Sequence, residues 1–181
     1  PGLRFQLGDI ANFDAAGWDV ILSNAALHWL PDHPALFARL VALLRPGGQL
    51  AVQMPANNDH PTHVEAHALA QEEPFRTALK GYRRDWSVLR PEEYAGILFR
   101  LGFAEQHVRL QVYPHVLDAR DGVVEWVKGT LLTDYEKRLS PELFRLFLER
   151  YRERLAAVLP DTKPFFFPFK RVLLWGRLAV P

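Results

Sequence analysis

The chain has 181 residues, 49% of them apolar, and a formal net charge of +1 with basic and acidic side chains interleaved. That is enough chain to bury a core and too apolar for a disordered protein, and it lacks the basic patch that nucleic acid or an anionic membrane surface calls for. There is no cysteine, which excludes a disulfide framework and thiol chemistry; no apolar run is long enough to span a bilayer, and no segment reads as a signal peptide. The composition predicts a single domain over 1–181 and is compatible with a cytoplasmic location.

In chain order, Leu3 to Gly8 alternates apolar and polar residues and predicts a short strand, followed by Asp9-Ile10. Asp19 to Asn24 is an apolar run with a polar end, as in a strand buried on both faces. Asp32 or His33 starts a helix whose apolar stripe is Leu36, Leu40, Leu43 and Leu44, and Pro46-Gly47-Gly48 stops it. Leu50, Val52 and Met54 then continue into a strand ending at Pro55. Trp18 to Pro55 is thus one βαβ unit. Its irregular stretches, Asn24 to Trp29 and Gln53 to Asn58, lie at the carboxyl ends of the strands, where open α/β sheets bind ligands.

Further on, Thr62 caps a helix carrying Val64, Ala68 and Leu69. His63 and His67 stand four residues apart, but the pattern is H-V-E-A-H rather than H-E-x-x-H and no third ligand is evident, so no metal is assigned. Arg90-Pro91-Glu92-Glu93 starts a helix with Tyr94, Leu98 and Leu101 on its buried face, and Gly102 ends it. Ala104 to Tyr113 alternates as a strand, with Tyr113 and His115 on the loop that follows. Asp121 opens a helix through Val123, Val124, Trp126 and Val127 to Gly129-Thr130, in which Trp126 reads as core or as a pocket wall. Ser140-Pro141-Glu142 begins a long helix buried along Leu143, Phe144, Phe147, Leu148, Tyr151 and Leu155. The run from Phe165 leads into Val172 to Trp175, an antiparallel last strand on which Phe169 and Arg171 share a face.

The words D-V-I-L-S-N-A-A-L-H-W-L-P-D-H, L-R-P-G-G-Q-L-A-V-Q-M-P, V-V-E-W-V-K-G-T at 123–130 and P-F-K-R at 168–171 resemble the class I S-adenosylmethionine-dependent methyltransferases over nearly the whole chain. The resemblance implies an α/β, Rossmann-like methyltransferase sheet with helical lid segments at 56–90 and 116–165. It implies S-adenosyl-L-methionine as cofactor, with Asp9 at the position that contacts the adenine amino group, beside Ile10 and Asn24. Without the resemblance, Asp9 reads as a cap for the next turn. Asn24, His28 and Trp29 match the methyl-transfer site, where His28 shapes the pocket and is not assigned as a base. His63, Tyr113, His115, Trp126 and Thr130 match positions around the substrate. After Gly129-Thr130, where the family often carries arginine and proline, this chain has Leu131-Leu132-Thr133-Asp134. That leaves Arg171 as the candidate to grip a carboxylate, against the plainer reading of an exposed strand charge.

No G-x-G-x-x-G-like run occurs in the sequence, so the sheet is expected to be incomplete at its N-terminal side. In the family the first strand is central, with the second and third on one side and the fourth, fifth, seventh and sixth on the other. Without the first two, the third has no neighbour and the fourth becomes an open edge that invites pairing with another chain. The favoured expectation is a piece of a longer protein; a rearranged fold, or two chains completing each other as a homodimer, are the alternatives. The function implied is an O-methyltransferase esterifying a small di- or tricarboxylic acid such as trans-aconitate, with no nucleic acid or membrane partner. The alternative is a non-catalytic, methyltransferase-like module that assembles through its open edge.

Overall fold

A computed structural model describes residues 2–83 and 86–180. They pack as two compact units, one formed by 1–56, 87–111 and 171–181, the other by 57–86 and 112–170. The segments expected as helical lids fall for most of their length in the second unit.

The first unit is built on the expected βαβ. Strand β1 (Trp18–Asn24) runs parallel to β2 (Leu44–Pro55), and α1 (His33–Ala42) crosses between them. Asp32 caps α1 by accepting from the Ala35 amide, and Pro34 fits the first turn, where its missing N–H costs nothing. Helix α4 (Pro91–Arg100) follows in chain order within this unit, and Gly102 ends it at positive φ. Strands β3 (Phe103–Leu117) and β4 (Phe165–Leu178) complete a sheet of order β1-β2-β4-β3, with β4 antiparallel to β2. That is the order of the last four strands of the sheet the resemblance implies.

One sheet face packs Leu50, Val52, Met54, Val172 and Leu174 against Leu36, Phe37 and Leu40 of α1 and Tyr94, Ile97 and Leu98 of α4. The alternate residues Gln53, Leu173 and Trp175, with Leu22, His107 and Arg109, line an open groove of about 520 Å³ on the other face.

Three expectations change here. Leu3 to Gly8 forms no strand, and Leu3, Phe5 and Leu7 are exposed, because an alternating segment without a neighbouring ladder has no partner for its backbone. β1 is not buried on both faces: it is the sheet edge, and Leu22 is 75% exposed. Pro46-Gly47-Gly48 lies inside β2 rather than between helix and strand. Trp18 pairs with Leu44 and Val20 with Gln49, so the turn-like residues are absorbed as a bulge. Gly47 has φ +73°, and a Cβ on Gly48 would lie 2.7 Å from the Arg45 carbonyl oxygen.

The second unit has its own core. Helices α2 (Pro61–Ala70), α3 (Phe75–Ala78), α5 (Gly122–Lys128), α6 (Thr133–Arg138) and α7 (Pro141–Val158) bury Leu69, Phe75, Val124, Tyr135, Phe147 and Tyr151 together. Phe147 meets Phe75 edge-on and stacks on Tyr135, with ring centroids 5.1 Å apart in each pair. Tyr151 Oη donates to the Thr62 carbonyl at 2.8 Å, so the polar end of a buried ring is satisfied. His60, not Thr62, caps α2, its Nδ1 accepting from the Thr62 amide. Among the described residues no helix is long and apolar enough to cross a membrane.

Candidate active site

β1 ends at Asn24, and the chain then turns through two left-handed residues, Ala25 at φ +50° and Asp32 at φ +49°. A non-glycine residue in that region costs roughly 1–2 kcal/mol, and such strain persists only where the surroundings hold it. The holding contacts are visible. The Ala25 amide donates to the Gln53 carbonyl of β2 at 2.9 Å. Leu27 is buried and seats a 3-10 turn, Leu27–Trp29. The Ser87 hydroxyl donates to the His28 carbonyl at 2.8 Å. His33 Nε2 lies 3.1 Å from the Leu27 carbonyl oxygen, and its Nδ1 pairs with the Tyr94 hydroxyl. Burial holds the His33 imidazole below its ordinary pKa. Within the turn, the His28 and Trp29 rings sit 4.8 Å apart and Trp29 is exposed. The sequence reading took Asn24, His28 and Trp29 from this loop but missed His33 and Tyr94, whose contact spans 61 positions and leaves no local signal.

Asp9, Ile10 and Asn24, expected around the cofactor, line one cavity of about 330 Å³ in the first unit. Phe13, Ile21 and Leu22 give it apolar walls, and Ser23, whose buried Oγ has no partner among the described residues, lies on its lining. Asp9 does cap the turn Ile10–Asn12, accepting from the Ala11 amide at 2.8 Å. Among the described residues its other oxygen takes a 3.4 Å contact from Asn12, which leaves acceptor capacity for an exocyclic amine. Arg39 of α1 donates to the Ile10 carbonyl at 2.8 Å and also to that of Ala11, tying this turn to the helix. An apolar slot with one carboxylate acceptor fits the adenine end of a nucleoside cofactor.

In the second unit, His115 and Trp126 are brought together, ring centroids 4.5 Å apart, with Phe169 and Phe167 completing the cluster. Trp126 is 40% exposed, so it is not buried core. Thr130 lies four residues on, beyond the end of α5, with its hydroxyl 3.4 Å from the Val127 carbonyl. Tyr113 and His115 lie within β3 rather than on a loop, because β3 and its neighbour β4 both run longer than their apolar alternation predicts. The His63 ring lies tilted against Trp86, centroids 5.3 Å apart, and its Nδ1 pairs with the Thr62 hydroxyl at 2.9 Å. Leu131 and Leu132, which depart from the family pattern, are buried in the core of this unit.

Arg171, in the first unit, pairs with Pro55 across the β2–β4 ladder. Just before it, the Asn57 side chain accepts from the Lys170 amide at 2.7 Å and donates to the Lys170 carbonyl at 3.0 Å. Lys170 Nζ in turn pairs with Asp59, which holds that carboxyl below its ordinary value. Sequence reasoning missed Asn57 as well.

Such a sheet, with a ligand cavity at the carboxyl end of its edge strand, is that of a Rossmann-like class I methyltransferase. A family model described as a methyltransferase domain matches residues 5–108. Among curated relatives, the trans-aconitate 2-methyltransferase of Deinococcus radiodurans is 45% identical over 179 residues, covering 96% of this chain and 68% of the relative. That of Variovorax paradoxus is 38% identical, covering 99% of this chain and 69% of the relative. The chain therefore spans about two thirds of the length of these relatives. Among solved structures, the YcgJ protein from Bacillus superposes with a TM-score of 0.53 at 17% identity, covering 98% of this chain and 72% of that one, a likeness of fold. The chain belongs to the methyltransferase family, on the branch of the trans-aconitate 2-methyltransferases. Its cofactor is S-adenosyl-L-methionine.

Proposed function

We propose that the protein esterifies one carboxylate of a small di- or tricarboxylic acid, with trans-aconitate as the first substrate to test, in the cytoplasm. The observation that carries this reading is the cavity that Asp9, Ile10 and Asn24 line together, beside the strained turn that presents His28 and Trp29. When bound, S-adenosyl-L-methionine would supply a methyl group from a positively charged sulfur: a carboxylate oxygen would bond to that carbon as its carbon–sulfur bond breaks, leaving a methyl ester and the neutral thioether. A carboxylate is already nucleophilic at neutral pH, so no residue here has to remove a proton. The protein's part is positioning and exclusion of water. Asp9 would accept from the adenine amine, Ile10 would pack against the ring, and Asn24 would orient the group at the strand end. Trp29 and His28 close the methyl-transfer site. His63, Tyr113, His115, Trp126 and Thr130 contact the substrate, and Arg171 grips a second carboxylate through its guanidinium fork. Segments 56–90 and 116–165 act as the lid.

The test is titration of S-adenosylhomocysteine into the 181-residue chain, together with mass-spectrometric detection of the methyl ester. Micromolar binding and ester formation are the expected results. Arg171→Ala should raise KM for the tricarboxylate by roughly ten- to a hundredfold, the loss of a charge-assisted pair. An unchanged KM removes Arg171 from the site, and no ester from any small polycarboxylate overturns the functional reading. The open edge of β1 favours a second reading, a homodimer or non-catalytic module assembled through that edge.

A further inference from the structure

The turn that presents His28 and Trp29 is gripped from behind by a relay that the methyl-transfer chemistry does not use. Leu89 N–H donates to the Tyr94 oxygen at 3.1 Å. The Tyr94 hydroxyl then has its hydrogen free to give to His33 Nδ1. His33 Nε2 faces the Leu27 carbonyl oxygen at 3.1 Å, and a nitrogen beside a carbonyl must carry the proton. Every donor in the chain Leu89, Tyr94, His33 thus has one acceptor, and the direction is fixed at both ends by backbone groups. The Leu27 oxygen also accepts from Leu30 N–H at 2.9 Å, which fills its two lone pairs. The next carbonyl, that of His28, is held by Ser87, two residues before Leu89. Two consecutive carbonyls of the turn are therefore tied to the body of the first unit. His33 and Tyr94 are both buried, so no water replaces these bonds when one is lost.

We propose that His33, as its Nε2–H tautomer donated to by Tyr94, is a positioning residue that sets the Ala25–Trp29 turn and hence Asn24, His28 and Trp29. The proposal rests on the functional reading for what those three residues do, but not for the grip itself. The groups facing the imidazole are Asp32, next to it in the chain, and Tyr94 from α4, which has Glu93 beside it. Protonation of Nδ1 would turn the Tyr94 hydroxyl from donor to acceptor at the imidazole and take away the acceptor of its hydrogen, while Nε2–H would still face Leu27, so the direction of the relay belongs to the neutral ring.

The test uses the whole chain. Nitrogen NMR of the His33 side chain should show the proton on Nε2. Amide exchange across Leu27–Leu30 should speed up roughly tenfold or more in His33→Phe, with the β2 amides unchanged. His33→Gln, whose amide reaches the Leu27 carbonyl but not Tyr94, should recover most of that protection, and the Trp29 indole resonance should return toward its wild-type position. Tyr94→Phe should give an intermediate effect. A proton on Nδ1, or equal exchange in His33→Phe and the parent, overturns the proposal, and His33→Gln with Tyr94→Phe decides it if the phenylalanine variant does not fold. In the methyl-transfer assay, His33→Phe should lower kcat roughly tenfold or more while KM stays near its parent value. An unchanged kcat overturns the positioning role. Absence of turnover in the parent chain refutes only the functional reading, and tautomer and exchange then decide the proposal alone.

Discussion

Asn57 does at residue scale what a neighbouring strand does at element scale. Its buried amide accepts from one backbone N–H and donates to one backbone carbonyl of Lys170, the pair of bonds that a ladder partner would make. Asn57→Ala removes the side-chain partner of both groups at a part-buried position, so it should lower the unfolding free energy by about 1–3 kcal/mol in urea titrations. A change under about half a kcal/mol would mean that water reaches Lys170 and the clip is dispensable. Gly176 makes a different demand, one of space. A Cβ there would lie 2.5 Å from the Phe103 ring, which is itself buried, so Gly176→Ala should cost about 1–3 kcal/mol by the same measurement. Restoration by Phe103→Leu in the double variant would show that the clash is the cause. Neither Asn57 nor Gly176 stands out in the sequence, since each is selected by a residue far away in the chain. The capping role of Asp9, in contrast, was legible, because a carboxylate at a turn accepts from the amide two residues on.

At the scale of elements, helices whose signals are local were read almost to the residue. α7 begins where Ser140-Pro141-Glu142 places it, with Ser140 Oγ accepting from the Leu143 amide at 3.3 Å. α1 and α4 likewise follow their caps and prolines. Strands were read less well, because a strand is decided by its partner. Leu3 to Leu7 alternates as cleanly as any strand here and forms none, while Pro46-Gly47-Gly48 has the composition of a turn and lies in β2. The same dependence makes β1 reactive. Its outer edge has no ladder partner among the described residues, and Val20 and Leu22 are exposed on it. The protein should therefore show a concentration-dependent mass approaching a dimer in light scattering, and Leu22→Lys should hold it monomeric. A parent chain that stays monomeric at every concentration refutes edge pairing.

At the scale of the whole molecule, two buried histidines set how stability responds to acid. His33 in the first unit and His60 in the second are both held below the ordinary pKa by burial, with the Lys170 charge adding to the effect at His60. In the unfolded chain each binds a proton near pH 6.5, whereas in the folded chain each stays neutral to lower pH. Between those values the unfolded state holds more protons, so stability is full above about pH 6.5 and declines as pH falls through it. The urea midpoint should fall from about pH 7.5 to about pH 5.5, and His33→Gln should flatten part of that slope. Equal midpoints at the two pH values would show that neither group stays neutral in the fold. By itself the sequence determined helices α1, α4, α5 and α7, the βαβ unit and the methyltransferase family, because caps, periodicity and motif wording are local and survive in one dimension. Only the tertiary structure decided that Leu3 to Leu7 is not a strand, that β1 is an edge, that Trp126 is not buried core, and that His33 meets Tyr94 and Asn57 meets Lys170. Each of those depends on a partner, a neighbouring ladder or a distant polar group, that linear order does not reveal.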